Sequence, residues 1–174
     1  MRSQPPGRRV VIADAGPLIA LARIDSLALL RALFAKVWVT TTVRDEILPE
    51  AASFPDTELL TRTLAEAWIE VVEIPKGSWT PLNPGVDAGE ASSIQMACHW
   101  RDMGDAVLLV MDDRAGRLEA RRCGIDLIGT AAVIGLARSE GLIAAARPLL
   151  ERLERSGYYL GRPVIEAVLA ALAE

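Results

Sequence analysis

The 174-residue sequence predicts an α/β fold, a three-layer α/β/α sandwich around a central parallel sheet. Three observations predict it. Short apolar runs of strand character alternate with stretches of helical spacing along the whole chain, the pattern of a parallel sheet covered on both faces. The strand-like runs are continuously apolar, as strands buried on both faces are. Alanine and leucine dominate while aromatics make up 5%, a composition that favours helix.

The first strand is RVVIA (9–13). Pro17 suits the first turn of a helix that continues through LIALARI, because its fixed φ and missing N–H are harmless there. Ser26 is placed to cap the next helix, SLALLRALF. KVWVT (36–40) reads as the second strand, and TTVRDEIL (41–48) as a helix begun by threonines and stopped at Pro49. DTELLTRTLAEAW (56–68) has an acidic start and helical spacing, and IEVVEI (69–74) is strand-like. The prolines and glycines of PKGSWTPLNPG (75–85) predict a loop. A helix follows from Asp87 to Trp100, then the most apolar strand, AVLLVM (106–111), and the pair Asp112-Asp113. RAGRLEARRC is a helix with an arginine-rich face, ended by Gly124, and IDLI is a last short strand. TAAVIGLARSEG, AARPLLERLERSG and PVIEAVLAALAE complete the chain as helices.

No repeat or linker interrupts this order. One domain over residues 9–174 is expected, preceded by a flexible N-terminus of residues 1–8. A net charge of −4 argues against a protein that coats nucleic acid through bulk positive charge. It leaves room for an enzyme that cuts nucleic acid, since a metal site needs acids. With one histidine and two cysteines outside any CxxC spacing, a structural zinc site is disfavoured, and Cys98 and Cys123 read as free thiols. No apolar run approaches the ~20 residues of a membrane span. The start MRSQPPGRR lacks the apolar stretch of a signal peptide, so a cytoplasmic protein is expected.

The apolar run VVIA ends on Asp14. In an open parallel sheet, ligands bind outside the carboxyl ends of the strands. Asp14, and Asp112 with Asp113 after the strand AVLLVM, therefore reach the same rim. Glu46 lies beside the apolar positions Val43 and Ile47, and Glu90 shares a helix face with Ile94. Converging carboxylates repel one another, and a divalent cation with hard oxygen ligands relieves the repulsion. Such a site activates water and steadies a phosphate in flight. Arg114, Arg117, Arg121 and Arg122, on the helix that begins there, are placed to hold a phosphate backbone.

Each residue also has an ordinary reading. Asp14, Asp112 and Asp113 suit helix caps or turns, Glu90 suits a helix N-terminus, and Glu46 suits an ion pair with Arg44 or Arg62. The arginines suit a solvated face or pairs with Glu119. His99 reads as a surface or boundary residue, and the tryptophans as core or boundary, with Trp79 in the long loop a candidate for stacking on a base.

The order of Asp14 with Pro17-Leu18, the helix bearing Glu46, the segment Asp87-x-Gly89-Glu90, Asp112-Asp113-Arg114 and Gly129-Thr130 resembles a PIN domain. More narrowly, it is similar to a short, stand-alone prokaryotic branch of that superfamily related to the VapC-type toxins. The similarity spans about residues 9 to 160, and the Gly-Glu and Asp-Asp segments are its specific part. The resemblance implies a Mg²⁺- or Mn²⁺-dependent ribonuclease in which Asp14, Glu46, Glu90 and Asp113 match the metal-binding acids. Asp112 stands beside them as a further metal-ligand candidate, and Thr130 matches a polar residue near the site. It also implies an RNA substrate, an antitoxin protein as partner and a homodimer. The chain departs from wider PIN domains at Ala15-Gly16, where Ser or Thr is usual, and at Met111, where Thr is usual.

The leading expectation is hydrolysis of RNA phosphodiesters at these acids. A non-catalytic module that binds RNA or a protein, with its acids holding a structural cation, is the alternative. A phosphatase on a doubly wound sheet is disfavoured, because Asp14 is followed by Ala15-Gly16 instead of completing a DxD motif.

Overall fold

The computed structural model describes residues 9–48, 55–75, 77 and 79–174. The expected flexible N-terminus and the stop at Pro49 lie outside the described residues. Five parallel strands form one sheet: β1 (Arg9–Ala13), β2 (Val37–Thr40), β3 (Ile69–Val72), β4 (Ala106–Val110) and β5 (Asp126–Ile128). Their order is β3-β2-β1-β4-β5. The chain winds outward from β1 in one direction through β2 and β3, then returns to β4 on the other side and continues to β5. The direction of winding therefore reverses between β1 and β4, the place where doubly wound sheets open a crevice. Ala13 is paired with Val110 in register, so the chain leaves both strands at the same height.

The helices are α1 (Ala15–Arg23), α2 (Ala28–Phe34), α3 (Thr41–Ile47), α4 (Pro55–Leu64), α5 (Ala88–Asp102), α6 (Arg114–Arg122), α7 (Thr130–Ser139), α8 (Arg147–Arg155) and α9 (Arg162–Ala171). Side chains of a strand alternate between faces, and the core divides accordingly. Val10, Ile12, Trp38, Leu109 and Met111 pack with Ile94 and Ala97 of α5 and Ala120 of α6. Val11, Ala13, Val37, Val39 and Val110 pack on the opposite face with residues of α1, α2, α3, α4, α7, α8 and α9. The result is the three-layer sandwich that the alternating sequence predicts. Each fully buried aliphatic side chain in these two layers contributes about 1.5–3 kcal/mol relative to leaving it in water.

Local differences from the sequence reading have local causes. α1 starts at Ala15, two residues before Pro17, and α2 starts at Ala28. Ser26 does not cap α2, because its hydroxyl donates instead to the carbonyl of Ile24 (3.1 Å). α4 stops at Leu64, four residues before Trp68, whose indole N–H donates to Glu66 (2.7 Å). Thr40, the last residue of β2, caps α3 by accepting from the Val43 N–H (3.1 Å). Gly124 ends the turn after α6 at φ 70°, where a side chain would be strained. Both cysteines are free and half-buried. Among the described residues no helix is long and apolar enough to cross a membrane.

Candidate functional site

Asp14 is the residue at which β1 becomes α1. Its backbone N–H continues the ladder to the carbonyl of Val110 (3.0 Å). It occupies the N-cap position of α1, yet its side chain makes no capping hydrogen bond. The carboxylate is 5% exposed and accepts a hydrogen bond from the Ser93 hydroxyl (3.1 Å). The ordinary reading of this residue as a helix cap therefore fails. Burial raises the Asp14 carboxyl to about 7, with further pressure from the charges of Asp87 and Glu46 and relief from Ser93.

The other acids come from three helices. Glu90 is buried at 6% exposure in the first turn of α5. It forms a capping box with Asp87: the Asp87 carboxylate accepts from the Glu90 N–H (2.8 Å), and Glu90 Oε2 accepts from the Asp87 N–H (3.2 Å). Burial pushes the Glu90 carboxyl up to about 8, followed by the charges of Asp87, Asp113 and Asp14. Glu46 is an exposed residue on α3 between buried Val43 and Ile47. Arg44 pairs with Asp45 (2.6 Å) and Arg62 with Glu58 (3.9 Å), so neither serves Glu46. The Glu46 carboxyl reaches over the start of α5, where a Cβ on Gly89 would collide with its Oε2. Partial burial and the charge of Asp87 raise its pKa. Asp113 caps α6, its Oδ1 accepting from the N–H groups of Ala115 (2.6 Å) and Gly116 (3.1 Å).

These acids act on one another. Asp14, Glu46 and Glu90 each feel the charge of Asp87, and Glu90 also feels Asp14 and Asp113. Asp87, read from the sequence only as part of a motif, is thus a fifth member of the cluster. Its signal was present: an acid three residues before Glu90 is the capping-box spacing. Two glycines make room for the gathering. At Gly116 a Cβ would stand 2.6 Å from the Met111 sulfur and 3.2 Å from the Glu90 carboxyl.

Asp112 stands apart from this cluster. Its Oδ1 accepts from the Thr130 N–H (2.8 Å), and its Oδ2 accepts from the hydroxyls of Thr130 and Tyr158, the latter at 2.8 Å. Both oxygens are therefore committed to the start of α7 and to the turn between α8 and α9. Tyr158 follows α8, and a Cβ on Gly16 would come within 3.0 Å of its hydroxyl. Burial first, then the charges of Asp112 and Asp14, holds that hydroxyl protonated well above its ordinary range. Arg117 lies half-buried beside this group and donates to the Met111 carbonyl (2.7 Å). Arg114 is exposed at the start of α6.

Trp79, the candidate for stacking on a base, sits where its other reading as a core or boundary residue put it. Trp79 is half-buried and packs against the core of the α5–α6 face. Its loop is tied down by buried Glu119, which accepts from the N–H groups of Leu82 (3.0 Å) and Asn83 (3.2 Å). Glu119 also pairs with Arg122 (3.9 Å), as the ordinary reading of that helix face expected. His99 is exposed.

A family model described as a PIN domain matches residues 10–174, nearly the whole chain and the whole described fold. The chain belongs to the PIN domain family. PIN domains are in general nucleases and usually use divalent metal ions. The match runs through α9, beyond the residue near 160 at which the motif resemblance stops. No curated protein matches the sequence.

The donor chemistry of this PIN domain suits a hard divalent cation: an all-oxygen set whose carboxyls are raised by burial and by one another. Among the described residues, no three His, Cys, Asp or Glu side chains lie close enough together to hold a metal ion as they stand. The charges of these acids interact, and the elements that carry them start at the carboxyl edge of the sheet. The hydroxyl missing at Ala15-Gly16 has a substitute of different origin, since Ser93 on α5 supplies one to Asp14.

Proposed function

We propose that this PIN domain is a metal-dependent endoribonuclease that hydrolyses RNA phosphodiester bonds at the acids around Asp14. One observation carries the reading. A strand end and three helices bring Asp14, Glu46, Asp87, Glu90 and Asp113 together, so that burial first and the neighbouring charges next raise the carboxyls of Asp14, Glu46 and Glu90, and a cation relieves the cost of the two buried charges.

Asp14, Glu90 and Asp113 are the residues to hold Mg²⁺ or Mn²⁺, with Glu46 at the mouth. Each of the three uses one oxygen on a hydroxyl or backbone donor, which fixes the carboxylate plane. A bound divalent ion supplies positive charge that acidifies water and steadies the phosphate. The chain's own part is orientation. Ser93 holds Asp14, the Asp87 capping box holds Glu90, and the first turn of α6 holds Asp113. Arg114 and Arg117 meet the phosphate backbone of the substrate.

The test is incubation of the purified chain with mixed RNA oligonucleotides and Mn²⁺, then with EDTA, alongside Asp14→Asn. Cleavage that stops with EDTA and is lost in the variant supports the reading. Cleavage that persists in Asp14→Asn overturns it, and metal binding without cleavage of any RNA favours a non-catalytic binding module. A toxin held by an antitoxin is the biological setting that the Gly-Glu and Asp-Asp motifs suggest. Growth arrest on expression, relieved by Asp14→Asn, supports that setting, and normal growth under expression of active nuclease counts against it.

A further inference from the structure

Beyond Asp113 the crevice opens into a cavity of about 570 Å³. Asp113, Arg114, Arg117, Tyr158, Tyr159 and Val164 are among the residues that line it. Three features give this cavity a chemical character. Asp113 belongs both to the cavity wall and to the acid cluster, so a chain lying in the cavity continues into the proposed cleavage site. Arg114 and Arg117 place two guanidinium groups in the lining, and Asp112, which lines the cavity beside them, has its carboxylate engaged by Thr130 and Tyr158.

The third feature is the tyrosine pair. Tyr158 turns inward and spends its hydroxyl on Asp112. Tyr159 turns outward and is 91% exposed, the most exposed of the large apolar side chains described. Tyr159 also lines a second recess of about 410 Å³, on which Arg162 and Glu154 lie. Its ring therefore stands between two recesses with solvent on it. A cavity of this size suits a small molecule or one residue of a polymer. An exposed aromatic ring flanked by arginines is what single-stranded nucleic acid uses, bases stacking on the ring while guanidinium groups follow the backbone.

We propose that this cavity is a nucleotide subsite, in which an unpaired base stacks on Tyr159 while Arg114 and Arg117 hold its phosphate and direct the strand toward Asp113. The subsite deepens the nuclease reading and rests on it for the identity of the strand as RNA. A base already paired and stacked in a helix has no free face for Tyr159, so the subsite takes an unpaired one.

The test reads binding, not cleavage. Anisotropy of a labelled eight-nucleotide RNA is measured with the full chain in EDTA, so that the strand stays intact, and compared with an abasic strand of the same length. Tyr159→Ala is expected to weaken binding of the base-bearing strand by ~5- to 100-fold and to leave the abasic strand unchanged, while Tyr159→Trp binds as the wild type does. Arg114→Ala is expected to weaken both strands and to lower the salt slope by about 1. Wild-type affinity of Tyr159→Ala for the base-bearing strand, or equal loss for the abasic strand, overturns the subsite. Unchanged RNA binding with conversion of a dimer to a monomer in sedimentation also overturns it and assigns the face to a second copy of the chain. A chain that binds as expected and cuts nothing keeps the subsite and loses the nuclease. A chain that cuts RNA while Tyr159→Ala binds normally does the reverse.

Discussion

Asp112 and Asp113 are neighbours in sequence and end in opposite situations. Asp112 sits in a group whose donors and acceptors match: one carboxylate, the Thr130 N–H, the Thr130 hydroxyl and the Tyr158 hydroxyl. Asp113 joins a group of five carboxylates in which burial first and the charges of neighbouring acids next drive Asp14 and Glu90 to about 7 and 8. The first arrangement stabilises the fold by pinning α7 and the α8–α9 turn to the end of β4. The second costs the fold stability. Residues of one type, adjacent in the chain, thus divide into a structural clasp and a candidate reaction centre, and the hydrogen-bond inventory separates them.

Substitutions that remove charge from the two groups should move stability in opposite directions. The largest effect is expected from Asp14→Asn. Loss of one cation-holding oxygen group should lower RNA cleavage by ~10³-fold, while the metal-free variant melts at a higher temperature than the wild type because a repelled buried charge is gone. A lower melting temperature with activity intact would erase the contrast between the regions.

The next effect is on pH. Asp14 and Glu90 bind protons more tightly in the folded chain than at their ordinary values of 3.8 and 4.5. The folded state therefore holds more protons than the unfolded state between about pH 4 and pH 8, and stability falls as pH rises through that window. Metal-free protein should melt ~5–10 °C lower at pH 8 than at pH 5, and saturating Mn²⁺ at pH 8 should recover most of the difference. Differential scanning fluorimetry with and without EDTA measures both.

Asp112→Ala strands the Thr130 and Tyr158 donors and should destabilise the fold by ~1–3 kcal/mol in urea. Tyr158→Phe, which keeps the ring and removes one hydrogen bond, should cost about 1 kcal/mol. Gly89→Ala sharpens the comparison from the other side. Its Cβ displaces only the flexible end of Glu46, so urea stability should stay within ~1 kcal/mol while cleavage falls about tenfold.

Much of the fold was legible in the sequence because its signals are local. The five strands and nine helices described follow from apolar runs and helical spacing, and the strand-end acids from the abrupt change from VVIA to Asp14 and from AVLLVM to Asp112. The candidate site was legible only in part. Asp14, Glu46, Glu90 and Asp113 were readable as acids placed on one edge. Ser93 was hidden, because a serine inside a helix carries no mark of a partner 79 positions away. Tyr158 and Tyr159 were hidden for the same reason, and that Trp79 packs on the core face, with its loop bonded to Glu119, was equally unmarked in the sequence.

The sequence by itself determined the layered α/β architecture, the edge of the sheet at which the acids collect, and the membership in a family of nucleases, since periodicity and motif spacing survive in one dimension. Only the tertiary structure decided which aspartate is clasped and which is left to the cluster, that Asp87 joins it, and that Tyr159 stands exposed beside it. Those outcomes depend on contacts between residues far apart in the chain, and hydrogen bonding and charge repulsion act over a few ångströms of space, whatever the separation in sequence.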